Sequence, residues 1–326
     1  MNSAKRFDMV RTVFSVLIAL AISFVIIFLV SDQPLEAIKY LLIGPFTNKR
    51  SMGNVVESMI PLIFTGTGVC IMFSANQINL AGEGAFHIGG LIASCVAIKL
   101  TATFVSPFMA LLCAGLVGAL FTAIPAIMKI TTTASEMVSS LMINYLALYF
   151  GNYMLNNVIG DPKASAASYK LADAAELPVL IQGTRVHLGF IIAIAVAVLG
   201  YFFLYRTKTG YELRLAGENE EFARYSGISI VKVIMISQLL GGFVAGLGGG
   251  VEMLSPIYAR FTWTSLLGYG WDAIIICTLS KKNPLYTPFA ALFLAYLRTG
   301  ASIMARRRYT GDRSDHTGYH YPACSC

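Results

Sequence analysis

Apolar segments long enough to cross a membrane recur along the chain and are separated by short polar stretches. The first, at 13–30, contains no charged residue and follows Lys5, Arg6 and Arg11. About 20 apolar residues span the bilayer hydrocarbon as a helix, so we interpret this segment as a retained first span with a cytoplasmic N-terminus. Further apolar segments lie at 54–73, 78–98, 104–128, 137–155, 187–205, 230–251, 269–280 and 285–304.

This pattern predicts an all-α polytopic membrane protein with about 8–10 transmembrane helices, some of them broken or re-entrant. Segment 269–280 is short for a full crossing and is the candidate re-entrant helix. Segment 156–186 is predicted to be the long external loop and 206–229 the main charged internal loop. A modest excess of Lys and Arg on the internal side supports this orientation.

The composition excludes soluble enzymes, disordered chains and fibrous proteins. Of the 326 residues, 56% are apolar and 13% are charged, about half the charge of a soluble domain. The net charge of +7 does not indicate a nucleic-acid partner, because Lys and Arg of membrane proteins concentrate in cytoplasmic loops. The chain has no ATP-binding P-loop and no hydrolase motif, so no catalytic residue, cofactor or metal site is predicted.

Polar residues interrupt the apolar segment around Glu83. Asn79 and Glu83 lie in a stretch where an ionisable side chain costs about 2.5–3.5 kcal/mol to insert. Gly82 and Gly84 flank the carboxylate and permit a break in the helix, which is tolerated where the backbone is buried in protein or lines water. The alternative is a cytoplasmic loop close to the membrane with a solvated Glu83.

A second polar group begins at Glu136, where the start of a helix favours an anion. Asn144 lies two turns deeper, and tyrosines repeat every four residues at Tyr145, Tyr149 and Tyr153. Such a stripe is able to stack a ring-shaped ligand, and interhelical packing is the alternative. The predicted substrate path therefore comprises Asn79, Glu83, Glu136, Asn144, Tyr145 and Tyr149.

Two further motifs concern packing and docking. Gly242, Gly246 and Gly250 leave one helix face without side chains, the pattern of close helix approach in membranes. In the internal loop, Asn219 is a good N-cap and Gly227 suits the position after a helix end, which predicts a helix of about two turns. Because its aromatic residues are exposed, this helix is a candidate docking surface for another protein. A packed surface loop is the alternative.

These motifs together resemble the permease subunit of bacterial ABC importers for nucleosides and simple sugars, in the same large family as the branched-chain amino-acid permeases. Residues 79–84, Asn-Leu-Ala-Gly-Glu-Gly, are similar to that family's N-[IL]-G-x-E-G-Q signature, with Ala81 and Ala85 replacing the usual Gly and Gln. Further similar segments, in the family's order, are 136–145, 217–228, 271–274 and 283–285.

The resemblance implies that 1–304 is a transmembrane permease domain in the bacterial plasma membrane, paired with an identical or homologous second permease. It also implies a cytoplasmic ATP-binding subunit and an extracellular substrate-binding lipoprotein, with nucleosides favoured over sugars as cargo. The alternatives are an ion-gradient-driven secondary transporter, with Glu83 as coupling acid, and a scaffold without transport. The residues implied to couple to the ATPase are Glu218, Asn219, Phe222, Arg224, Tyr225 and Gly227.

The tail at 305–326 departs from the family pattern, which continues with another apolar segment. Its His316, His320, Cys324 and Cys326 suggest zinc, but Cys-x-Cys is shorter than the usual ligand spacing. We interpret this tail as out of frame or truncated.

Overall fold

The computed structural model describes residues 3–30, 33–100, 106–132, 134–164 and 166–316, which form helices and loops with two isolated β-bridges. The chain divides into one unit of residues 1–55 and 295–326 and a second of residues 56–294. The helices, in chain order, are α1 (Ser3–Val30), α2 (Pro34–Ile43), α3 (Lys49–Ser74), α4 (Gly82–Lys99), α5 (Ser106–Thr132), α6 (Glu136–Asn157), α7 (Gly189–Arg206), α8 (Lys208–Glu218), α9 (Glu220–Tyr225), α10 (Ile230–Met253), α11 (Tyr269–Leu279) and α12 (Thr287–His316).

The predicted all-α membrane fold is confirmed. In the part of the chain that the structure describes, five helices are long and apolar enough to cross a membrane: α3, α5, α7, α10 and the stretch Pro284–Ala305. Helices suit such segments because a helix satisfies its backbone polar groups internally, without water.

In the first unit, α12 packs against the end of α2. The Tyr296 hydroxyl donates a hydrogen bond to the carbonyl of Leu42, and its ring lies 5.5 Å from that of Phe46. Helix α12 continues without a break through 305–316, and residues 317–326, with His320, Cys324 and Cys326, lie outside the described residues. Among those described, no group of three or more His, Cys, Asp or Glu is arranged to hold a metal ion.

The centre of the second unit is a tight contact between α5 and α10. A Cβ atom added to Gly246 would lie 2.5 Å from the carbonyl oxygen of Ala114 and 2.9 Å from the Cα atom of Gly118. A Cβ atom at Gly242 would lie 2.7 Å from the Gly118 carbonyl oxygen. The helices therefore meet backbone to backbone, which requires the glycines at these positions.

Two irregular features lie beside this tight contact. Helix α3 ends at Ser74 and α4 begins at Gly82, so residues 75–81, called here the broken segment, are not helical. Helix α11 has only 11 residues, about 16 Å or half of the hydrocarbon thickness. It begins after Gly268, whose φ of +84° is a conformation that favours glycine.

The predicted external loop is tied to the connection between α10 and α11. Leu171 and Leu177 donate backbone hydrogen bonds of 2.9 Å to the carbonyls of Ala259 and Leu254. Arg260 lies 2.6 Å from the Asp161 carboxylate and lowers the pKa of that carboxyl. The external loop and the connection between α10 and α11 therefore pack together, and they are called here the loop layer.

Helix α8 is absent from the sequence prediction, which places a single short helix in the internal segment 206–229. Thr207 begins α8 by accepting a hydrogen bond from the backbone N–H of Gly210 at 3.0 Å. Leu213 and Ala216 then face the protein and are buried. Burial of this narrow apolar stripe against neighbouring helices stabilises α8, since a helix of this length is marginal alone.

Candidate functional site

Side chains from other helices hold the broken segment in place. Asn79 is fully buried, and its amide nitrogen donates to Gln238 Oε1 of α10 at 2.6 Å. Ser140 of α6 accepts from the N–H of Leu80 at 3.1 Å. Asn144, one turn further along α6, donates to the Leu80 carbonyl at 3.0 Å and accepts from the Gly84 N–H at 2.8 Å.

The polar chain continues from Gln238 to an ion pair whose carboxylate is buried and whose lysine is half-buried. Gln238 Nε2 donates to Glu136 Oε1 at 2.5 Å, and the ammonium group of Lys129 lies 2.8 Å from Glu136 Oε2. Lys129 also donates to Gln77 Oε1 at 2.5 Å, which returns the chain to the broken segment. Because Glu136 and Lys129 neutralise each other, this network holds the segment without a net charge.

Glu83 occupies the point where α4 and α11 begin. Its carboxylate accepts a hydrogen bond of 2.7 Å from the Gly268 N–H and a second from the Gly270 N–H. Both donors belong to the N-terminus of α11, where the helix dipole favours an anion. The side chain is only 2% exposed. Glu83 is therefore the buried cap of the half-length helix and not a solvated loop carboxylate.

The six predicted path residues divide between two faces of the structure. Asn79, Glu83, Glu136 and Asn144 are buried around the broken segment and its junction with α11. Tyr145 and Tyr149 lie on the opposite face of α6, where Tyr149 is 68% exposed within this single chain. The tyrosines do not take part in the polar network, and their role in a substrate path stays a prediction.

An open cavity of about 470 Å³ lies beside the Lys129–Glu136 ion pair. Ala134, Ser135, Met137, Asn76 and Ile78 complete its lining. The cavity therefore reaches the start of α6 and one side of the broken segment.

Sequence reasoning missed several members of the network. Gln238 is completely buried in the first half of α10, and the sequence pattern gives Lys129 no role in a site. A polar side chain inside an apolar span is a recognised functional signal, and this rule would have found Gln238. The other missed members are Gln77, Thr122 and Ser140.

Helix α9 has the ends that the sequence predicts. Asn219 Oδ1 accepts from the N–H of Phe222 at 2.9 Å, and Gly227 has a φ of +82°. Tyr225 is 90% exposed and Phe222 is also exposed. Arg224 forms an exposed ion pair with Glu220 at 3.2 Å. The helix thus presents an aromatic and charged surface.

The opposite side of α8 and α9 is buried against the membrane core. Ala75, Leu213, Ala216, Ala223 and Val233 form one apolar cluster, called here the Ala75 cluster. It joins the two short helices to the first residue of the broken segment and to the start of α10.

Comparison with known proteins identifies the family. The family model of the permease component of branched-chain amino acid transport systems matches residues 51–311. The chain belongs to this permease family. It is 30% identical to the guanosine ABC transporter permease protein NupP of Bacillus subtilis, over 80% of this chain and 76% of that protein. It is 31% identical to the glucose ABC transporter permease protein TsgB13 of Haloferax volcanii, over 89% of this chain and 79% of the relative.

A third relative is the nucleoside ABC transporter permease protein NupB of Lactococcus lactis, 25% identical over 83% of this chain and 78% of its own length. No solved structure matches the chain. The permease is accordingly the membrane-spanning subunit of an ATP-driven importer in the plasma membrane, and ATP hydrolysis belongs to a separate subunit. Its family implies an ATP-binding subunit and a substrate-binding protein as partners, and a secondary transporter is not favoured.

Proposed function

We propose that this permease imports nucleosides, with simple sugars as the second candidate cargo. The observation that carries the proposal is its similarity, over most of the chain, to permeases named for guanosine and for nucleosides. The relative named for glucose supports the second candidate.

The electrostatics of the broken segment favour an uncharged cargo. Lys129 and Glu136 neutralise each other, and the Glu83 carboxylate is engaged by two backbone N–H groups of α11. A cargo passing this segment meets amides, hydroxyls and a compensated ion pair. Nucleosides and sugars bind such groups through neutral hydrogen bonds, whereas the charges of an amino acid would need separate partners.

We infer that the tyrosine face of α6 faces a second permease subunit, identical or homologous. Tyr145 and Tyr149 carry hydroxyl groups on an exposed face of a helix of membrane-spanning length. Lipid hydrocarbon offers a phenol no hydrogen-bond partner. A polar path between two subunits offers one, and the rings are able to stack on a nucleobase.

We further propose that α9 docks the ATP-binding subunit through Phe222 and Tyr225. Glu218, Asn219, Arg224 and Gly227 fix the ends and charge of this helix. The predicted external lipoprotein delivers cargo on the opposite side of the membrane.

Uptake into vesicles tests the cargo. The permease is reconstituted with its ATP-binding subunit and binding protein, and entry of labelled inosine and guanosine is compared with that of ribose and glucose. Nucleoside uptake that unlabelled guanosine abolishes, and that ribose in hundredfold excess leaves unchanged, is the expected result. Uptake of the sugars alone would replace the nucleoside assignment with the second candidate.

A further inference from the structure

The broken segment and α10 both contribute to the Ala75 cluster, and a side-chain hydrogen bond joins them again further along. The broken segment begins at Ala75, and α10 contributes Val233 to the same cluster. Four residues beyond Ala75 is Asn79, and five residues beyond Val233 is Gln238. Their side chains are joined at 2.6 Å. The Ala75 cluster thus connects α8 and α9 to the elements that carry both partners of this bond.

Gln238 uses both ends of its amide group. The oxygen accepts from Asn79, and the nitrogen donates to Glu136. Lys129 fixes the order of donors and acceptors, because its ammonium group requires Glu136 to be an acceptor. Gln238 is 0% exposed, so a substitution there cannot recruit bulk water to replace either bond.

The bond lies close to the start of α11. Asn79 Oδ1 accepts from the Ala81 N–H at 2.7 Å, which sets the turn that leads into α4. Two residues later Glu83 caps α11. The route from the Ala75 cluster to the half-length helix is therefore a short run of backbone, which is held to α10 at Asn79 and to α6 at Leu80.

We propose that Gln238 is a positioning residue for transport, which holds the broken segment to α10 so that movement of α8 and α9 displaces Glu83 and α11 together. The residue acts through Asn79 and Glu136 and does not contact the cargo. This inference rests on the proposal that α9 docks the ATP-binding subunit.

A charge exchange tests the donor and acceptor order. Gln238→Glu places two carboxylates together, and Glu136→Gln removes the anion beside Lys129. Each single change is expected to lower uptake at least about tenfold. The double variant restores every bond. The new amide at position 136 would accept from Lys129 and donate to the new carboxylate at position 238. That carboxylate would also accept from Asn79. Uptake by the double variant is expected within about threefold of the original protein.

Coupling separates positioning from a purely structural role. In the Gln238→Glu variant we expect assembled protein and retained ATP-binding subunit, but hydrolysis that loaded binding protein no longer stimulates. Ser94→Ala is the matched control, because it removes a buried hydroxyl that bonds only within its own helix, to the Gly90 carbonyl at 2.8 Å. This control is expected to transport normally.

A second variant keeps the proposal testable if the Gln238→Glu variant does not fold. Asn79→Asp keeps the acceptor for the Ala81 N–H but replaces the donor that faces Gln238, so the same uncoupling is expected. Normal coupling in an assembled Gln238→Glu or Asn79→Asp variant would overturn the proposal, as would a folded double variant without recovery. Changes at Phe222 and Tyr225 are instead expected to release the ATP-binding subunit. If the subunit stays bound to those variants, only the docking site is refuted.

Discussion

Glu83→Gln is the change that most directly tests how the half-length helix is held. The carboxylate offers one oxygen to the Gly268 N–H and the other to the Gly270 N–H. Glutamine has the same length but only one oxygen, so its NH₂ group must face one of these two donors. The variant therefore loses one bond and leaves buried donors unsatisfied, while the shape of the site is conserved.

The magnitude follows from the two interactions that are lost. A hydrogen bond to a charged group contributes about 1.5–3 kcal/mol, and an anion at a helix N-terminus about 0.3–1 kcal/mol. Together they weaken the start of α11 by roughly 2–4 kcal/mol, which corresponds to a roughly 30- to 1,000-fold increase in local opening at roughly 1.4 kcal/mol per factor of ten. Insertion into the membrane is not impaired, because removal of a buried charge favours insertion.

Amide hydrogen exchange at 268–272, measured in lipid nanodiscs together with membrane level and uptake, checks this expectation. We expect faster exchange at the start of α11, at least about tenfold lower uptake and an unchanged membrane level. Glu36→Gln is the control, because Glu36 is an exposed carboxylate in α2. If exchange and uptake in Glu83→Gln equal those of the control, Glu83 does not hold α11.

Three further outcomes are expected. Gly246→Leu forces a side chain into the carbonyl of Ala114, so the melting temperature in detergent should fall by several degrees; an unchanged value would contradict the tight contact. Gly227→Val places a β-branched residue at a φ of +82°, and co-purification of the ATP-binding subunit should drop, whereas Lys208→Ala should retain it. Asp161→Asn should destabilise the loop layer at pH 7 and progressively less as the pH falls below the ordinary Asp pKa, because the Arg260 pair stabilises only while the carboxylate is ionised; an effect that does not decline with pH would refute the ion pair.

Much of the helix pattern was predictable because membrane-spanning backbone must satisfy its own polar groups. The break before Gly82 and the Asn219 cap were also readable, since both depend on local residue chemistry. The partners of Glu83 were not, because they are backbone N–H groups about 185 residues away that no side-chain pattern marks. The tyrosine period shows that Tyr145 and Tyr149 share a face, but which face of α6 is buried depends on tertiary packing.

The distribution of glycine and of polar side chains distinguishes a rigid part of the permease from a part that is able to move. Gly118 and Gly246 bring α5 and α10 into backbone contact, and a contact of that kind cannot slide without opening a void. The broken segment is joined to α10 and α6 by side-chain hydrogen bonds, among them those of Asn79 with Gln238 and of Asn144 with the Leu80 carbonyl. Movement driven from α8 and α9 should therefore keep the contact between α5 and α10 closed, and cross-links between α5 and α10 should leave transport intact.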